Sequence, residues 1–335
     1  MLCSAALGTI RQFFEDGENI SFPAVPESVR DSSTEKALVS GTLRYETWDV
    51  FTDRRYAGNP LAVIFGADEL SSEAMLRITR EFNYSESVFL LTPETADCVA
   101  RLRIFTPGGE LPFAGHPTVG AASAIARRDS GVERMVLELS AGRFPVRVDQ
   151  RTGDTWHAEF ENPNLPAVRA RGPAAARVEA ALGLPEGSVD SGAHAPRRCG
   201  AGIDFFYAAA PLAAVQGARL NTAAWDALGL GDACGVLLYA RAAPGSGSDW
   251  HVRMFGPHIG VAEDPATGSA AAGLPAQLMA AGALADGYHD WQVEQGIEMG
   301  RPARIGVRFE VRNGAFESLA IGGDAIRVCA GEIHC

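Results

Sequence analysis

A strand-turn-helix pattern occurs twice in this chain, and few folds can accommodate both copies. The first copy reads Arg103-Ile104-Phe105-Thr106-Pro107, then Ala114-Gly115-His116-Pro117-Thr118-Val119-Gly120 ahead of a run of small residues. The second reads Arg253-Met254-Phe255-Gly256-Pro257, then Glu263-Asp264-Pro265-Ala266-Thr267-Gly268-Ser269 ahead of three alanines. Each copy predicts a strand, a turn and the start of an Ala-rich helix. Such a helix start leaves backbone N–H groups without partners, and its dipole favours an anion. Two starts that face each other would hold a small molecule carrying a carboxylate.

Arg103 and Arg253 set a repeat of about 150 residues, too long for a solenoid, so the pattern predicts two similar α+β lobes with a cleft between them. The 335 residues suffice for two cores. With 29 basic against 41 acidic residues the net charge is −12, which argues against a nucleic-acid or anionic-membrane partner. The six cysteines (Cys3, Cys98, Cys199, Cys234, Cys329 and Cys335) form no Cys-x-x-Cys pair, and the histidines show no ligand spacing, so neither a zinc site nor a disulfide framework is expected. No apolar run is long enough to cross a bilayer and no secretory leader is evident, which predicts a cytoplasmic protein.

In chain order, residues 1–43 read as an N-terminal extension, 44–162 as the first lobe and 163–335 as the second, whose last strand is free to return to the first. Strands are expected near Tyr45–Phe51, Leu61–Phe65, Glu86–Thr92, Val99–Phe105, Arg134–Leu139, Phe144–Val148 and Trp156–Phe160. A helix capped by Ser71 or Ser72 presents Met75, Ile78 and Phe82 on one face. Glu161 to Pro166 reads as a linker. Beyond it the order repeats, with strands at Gly202–Ala208, Gly235–Tyr239 and Trp250–Phe255 and a helix at Leu220–Leu228. Cys234 then stands close to the place Glu86 holds in the first half. Gly273 and Pro275 predict a kink or early stop in the second Ala-rich helix. Strands Trp291–Gln295, Ile305–Val311, Ala315–Ile321 and Ala325–Val328 close the chain. Glu86, at the mouth of an apolar strand, is either solvated at the end of the sheet or held in a pocket.

Taken together, Gly58-Asn59-Pro60, Ser85-Glu86-Ser87, Phe105-Thr106-Pro107, Glu110 to Thr118, Glu263 to Ser269, Gln295-Gly296 and Met299-Gly300-Arg301-Pro302 resemble the PhzF-like group of phenazine-biosynthesis isomerases. The resemblance spans about residues 44 to 335. It implies the diaminopimelate-epimerase fold, in which each lobe is a mixed, barrel-like sheet around a central helix. It also implies catalysis between the lobes without organic cofactor or metal, and commonly a homodimer. The racemases of that fold use a cysteine at each helix mouth; Ala114 and the Asp264 to Ala266 stretch carry none here, which disfavours a two-thiol mechanism. The PhzF-like pattern instead assigns catalysis to a glutamate matching Glu86, with His116, Asp264 and Ser269 as helpers.

Moving a proton between carbons needs a base that later acts as an acid, and an enclosed glutamate beside a second carboxylate has its pKa raised toward the working pH. Glu86 is expected to be that group, with Asp264 as its neighbour or a contact to substrate. The alternative for Asp264 is a helix cap, and for His116 a packed histidine bonded to backbone. Gly115, Thr267, Gly268 and Ser269 are the expected binding residues for a small carboxylate. A non-catalytic binder on the same fold is the alternative function, though binding alone does not call for a tunable acid.

Overall fold

The computed structural model describes residues 41–129 and 132–335; the body of the expected N-terminal extension lies outside them. The first lobe contains β1 (Thr42–Val50), β2 (Asn59–Phe65), α1 (Ser72–Phe82), β3 (Glu86–Leu91), β4 (Ala100–Thr106), β5 (Gly109–Leu111), α2 (Gly115–Arg128), β6 (Arg134–Leu139), β7 (Gly142–Gln150) and β8 (Thr155–Glu161). The second contains β9 (Ala167–Arg171), α3 (Ala175–Leu182), β10 (Arg197–Gly200), β11 (Asp204–Ala209), α4 (Leu212–Gly217), α5 (Thr222–Trp225), β12 (Val236–Arg241), β13 (Trp250–Gly256), β14 (Val261–Asp264), α6 (Gly268–Ala280), β15 (Gly287–Gln295), β16 (Ala303–Arg312) and β17 (Ala315–His334).

The lobes repeat one topology. In the first, β1 pairs with β2, β2 runs parallel to β3, β3 pairs with β4, and β4 runs parallel to β6. Strands β6, β7 and β8 continue antiparallel, and β17 joins β8 to β1, closing a ring of eight. The second lobe follows the same order through β9, β10, β11, β12, β13, β15, β16 and the first half of β17, with parallel pairs at the same two places. One strand thus belongs to both sheets.

A ring of inward-facing side chains leaves room for one helix, provided that helix is small and apolar on every side. Residues 115–126 of α2 and 268–278 of α6 are buried throughout, which accounts for the alanine runs. At the same turn of each helix a glycine admits a neighbour. A Cβ on Gly120 would lie 2.4 Å from Leu61 Cδ2, and one on Gly273 would lie 2.2 Å from the Tyr207 hydroxyl, which donates to Ala270 O across 2.7 Å. The shorter helices cover outer faces, α1 against β2, β3 and β4, and α3 to α5 against β11 and β12.

Several local expectations need correction. Helix α6 does not stop near Gly273 but runs through Pro275 to Ala280. An interior proline costs roughly 3 kcal/mol in an isolated helix, and enclosure of both the preceding and the following turn within the ring offsets it. The two strands expected over Ala315–Ile321 and Ala325–Val328 are one strand, β17, because Gly322 and Gly323 are sites of close approach rather than a break. Cβ atoms there would meet Glu159 Cβ at 2.8 Å and Phe51 Cδ1 at 2.5 Å. The loop after Thr106 contains the short strand β5, and the expected Leu220–Leu228 helix shrinks to α5 followed by a 3-10 turn at Asp226–Leu228. Strands β9 and β10 and helices α3 and α4, too short for periodicity to reveal, were not expected. The Ser71 cap is as expected, its hydroxyl accepting from Ala74 N at 3.2 Å.

Candidate active site

The repeated arginine is a brace. In the first lobe Arg103 donates through Nε and Nη2 to both oxygens of Glu110, at 2.8 and 2.6 Å, and lies 5.2 Å from the Phe105 ring centre. In the second, Arg253 does the same to Glu263, at 2.7 and 2.9 Å, and lies 5.0 Å from the Phe255 ring. Two-pronged pairing of this kind fixes orientation as well as distance. It pins each of the hairpins β4–β5 and β13–β14, and those hairpins lead into α2 and α6.

The two helix starts meet. A Cβ on Gly115 would lie 3.2 Å from Gly268 Cα and 3.3 Å from Ser269 N, so only glycine lets the first turn of α2 rest against that of α6. His116 and Ser269 are the second residues of their helices, and both are buried. Glu86 opens β3 beside them. Its side chain is 15% exposed, and its Oε2 lies 3.6 Å from His116 Nδ1, the imidazole being 3% exposed. Among the described residues neither Glu86 Oε2 nor His116 Nε2 has a hydrogen-bond partner. Glu86 is therefore sheltered, and His116 is not tied to backbone.

Asp264, 5% exposed, closes the site from the second lobe. Its Oδ2 accepts from the Thr267 hydroxyl at 2.6 Å and its Oδ1 from Asn59 Nδ2 at 2.9 Å. It does not cap α6; Thr267 holds the cap position without a capping side-chain bond. Asn59 also donates to Ala266 O at 2.9 Å and accepts from the Ser85 hydroxyl at 2.7 Å, so it ties the residue before Glu86 to the loop that carries Asp264. Gln295 completes this frame, accepting from Thr267 N at 3.0 Å and donating to Asp264 O at 2.7 Å. Asn59, Ser85 and Gln295 were visible only as parts of motifs, and nothing local marked them as bridging residues.

Burial first, then the charge of Asp264, push the Glu86 carboxyl up to about 8. Burial pushes Asp264 up to about 6, against the hydrogen bonds from Thr267 and Asn59 that favour its ionised form. Burial drives His116 down to about 3, so its imidazole is neutral at physiological pH. Two carboxyls of unlike pKa beside a neutral histidine can hold and move one proton near neutrality.

The second lobe carries no matching acid. Phe105 pairs with Ser87 and Phe255 with Val236, so the place of Glu86 falls on Gly235 and that of Ser85 on Cys234. A Cβ on Gly235 would meet Phe255 O at 2.2 Å, which leaves no room for a side chain. The site is one-sided. Phe51, whose ring touches Gly268, also lines a cavity of about 900 Å³ with Arg151, His157, Arg304 and Asp324; Glu86, His116 and Asp264 take no part in its wall.

The chain is an isomerase built on a paired-lobe α+β fold, and it belongs to the PhzC-PhzF family of phenazine biosynthesis-like proteins, which it matches over residues 48–331. It is 39% identical to an uncharacterized isomerase of Mesorhizobium japonicum, covering 87% of this chain and 99% of the relative. It is 34% identical to the trans-2,3-dihydro-3-hydroxyanthranilate isomerase of Pseudomonas aeruginosa, again over 87% of this chain and 99% of the relative. The crystal structure of a PhzF-family phenazine biosynthesis protein of Bacillus anthracis shares the fold, with a TM-score of 0.77 at 24% identity over 87% of this chain and 99% of that one. Among the described residues no helix is long and apolar enough to cross a membrane.

Proposed function

We propose that the protein is an isomerase that moves a proton between carbons of a small carboxylate-bearing metabolite, with Glu86 as the single base and acid. The observation that carries this reading is the Glu86 carboxyl, enclosed, raised to about 8 and without a mirror-image partner in the second lobe. Ionised Glu86 takes a proton from a C–H made acidic by conjugation. The electron pair left behind passes into the conjugated system of the substrate, and protonated Glu86, which exchanges with solvent between the two steps, delivers a proton to another carbon. Nothing is oxidised or reduced, and the enzyme ends as it began. Neutral His116 donates a hydrogen bond to the oxygen on which charge develops, and the N–H groups at Gly115, Gly268 and Ser269, with the Ser269 hydroxyl, receive the carboxylate, while Thr267, its hydroxyl committed to Asp264, shapes the helix mouth.

The relative from Pseudomonas aeruginosa makes trans-2,3-dihydro-3-hydroxyanthranilate the first compound to try. Incubated in D₂O, it is expected to gain deuterium at carbon as it isomerises. Glu86→Gln should slow exchange and turnover by at least about 10²-fold, the low end of what a placed acid-base group supplies, while calorimetric affinity for the carboxylate is retained. Equal turnover in variant and wild type would remove Glu86 from the chemistry.

A further inference from the structure

The second lobe buries His251 and Glu294 and half-buries Glu298, ionisable side chains that this reaction leaves unused. His251, in β13, is fully buried. Its Nδ1 lies 2.9 Å from Glu294 Oε1 at the end of β15, and its Nε2 lies 3.0 Å from Glu298 Oε1 in the turn that follows. A neutral imidazole has one N–H and can satisfy only one of these carboxylates; the imidazolium satisfies both. Burial, which alone would lower the His251 pKa, is outweighed by its hydrogen bonds to Glu298 and Glu294, and the net direction is upward. Burial, the largest single influence on Glu298, would raise it, but its bond to His251, a backbone hydrogen bond and the charges of His251 and Arg253 together hold it below the ordinary carboxylate value. The other charge that bears on Glu298 is Arg253, itself engaged with Glu263.

The turn that carries Glu298 lies against the active site. Its start, Gly296, packs so closely that a Cβ there would be 2.5 Å from Pro265 O, next to Asp264. Gln295, which holds Asp264 and Thr267, sits between the two glutamates in sequence. At the far end of the turn Arg301 donates to Asp49 Oδ1 at 2.5 Å and to the carbonyls of Ala57 and Gly58, at the entry to Asn59. The turn is therefore bolted to the first lobe at one end and to His251 at the other.

We propose that His251 is a positioning residue, a buried cation shared by Glu294 and Glu298 that clamps the 296–302 turn and, through Gln295 and Pro265, holds Asp264 in place across from Glu86. The consequence for catalysis rests on the roles given above to Glu86 and Asp264; the clamp does not. Because the paired histidine is the protonated one, the clamp is complete at low pH and is lost as pH rises through the raised His251 pKa. One carboxylate then loses its donor and the two repel each other.

Hydrogen-exchange mass spectrometry of the full chain from about pH 6 to about pH 9, expressed as protection factors, tests this, with ¹³C-labelled imidazole signals locating the His251 titration. Protection of residues 264–268 and 296–302 should fall together, by about ten-fold or more, as His251 deprotonates. His251→Gln should show the low value at every pH. Glu298→Gln keeps the acceptor without the charge, so it should retain protection at neutral pH and move the loosening to lower pH by about one unit. A Glu298→Gln midpoint that does not move, or protection at 264–268 indifferent to His251, would overturn the proposal. If His251→Gln does not fold, the Glu298→Gln midpoint decides alone. Absence of deuterium transfer to the substrate would count against Glu86 and leave this readout intact.

Discussion

Replacing Asp264 by asparagine should make the enzyme better at lower pH even as it removes a buried carboxylate. In the wild type kcat/KM for a proton-abstracting Glu86 follows its ionised fraction, so it should fall about ten-fold per pH unit below about 8. Burial is the larger cause of that raised pKa and the Asp264 charge the second; a like charge a few ångströms away contributes on the order of one unit. Asparagine keeps the shape and the acceptor for Asn59, and the Thr267 hydroxyl can reverse its hydrogen bond, so the frame persists while the charge goes. With the Glu86 pKa lowered by about one unit, its ionised fraction at pH 7 rises from about a tenth to about a half, roughly five-fold. The assay is the pH dependence of kcat/KM for deuterium incorporation, with the plateau fitted separately from the limb. An acid limb that stays where it was would show that Asp264 does not act on Glu86 electrostatically. A wild-type rate that declines from pH 6 to pH 8 would refute ionised Glu86 as the base.

Gly115→Ala places a methyl group 3.2 Å from Gly268 Cα, a contact that the backbone of the opposing helix must yield to. Turnover should drop about ten-fold or more from misplacement between the lobes, while denaturant titration shows a loss of no more than about 1–3 kcal/mol. Gly273→Ala drives a methyl into the Tyr207 hydroxyl, one turn beyond the binding residues of α6, and should cost about 1–3 kcal/mol of stability without changing the pH profile. Pairing it with Tyr207→Phe should restore part of that loss, and strict additivity of the two changes would show that the contact is not the cause.

Much of this molecule was legible in its residues because the information was local and repeated. A strand, turn and Ala-rich helix occur twice, and a helix of small residues buried on every side has to sit inside something, which makes a ring of strands around each copy the natural arrangement. The motifs around Glu86, His116 and Asp264 marked the residues that the fold then brought together. Local signals misled where tertiary packing overruled them. Pro275 and Gly273 predict a helix end, yet the enclosing strands carry α6 onward to Ala280, and Gly273 is a gap for Tyr207. Gly322 and Gly323 read as a break in the last strand, yet they are where β8 and Phe51 press against it.

What the sequence by itself determined, then, was the duplication, the identity of the two central helices and the position of a carboxylate at the mouth of an apolar strand, since each is written in residue type and short-range spacing. Only the tertiary structure decided how the copies differ. Closure of the first-lobe ring by β17, which also pairs with β16 of the second lobe, sets Asn59 against Asp264, 205 residues apart. The strand register puts Gly235, with no space for a side chain, opposite Glu86, so one lobe carries the acid and the other has none. Register and ring closure depend on hydrogen bonds between segments far apart in the chain, and no local pattern encodes them.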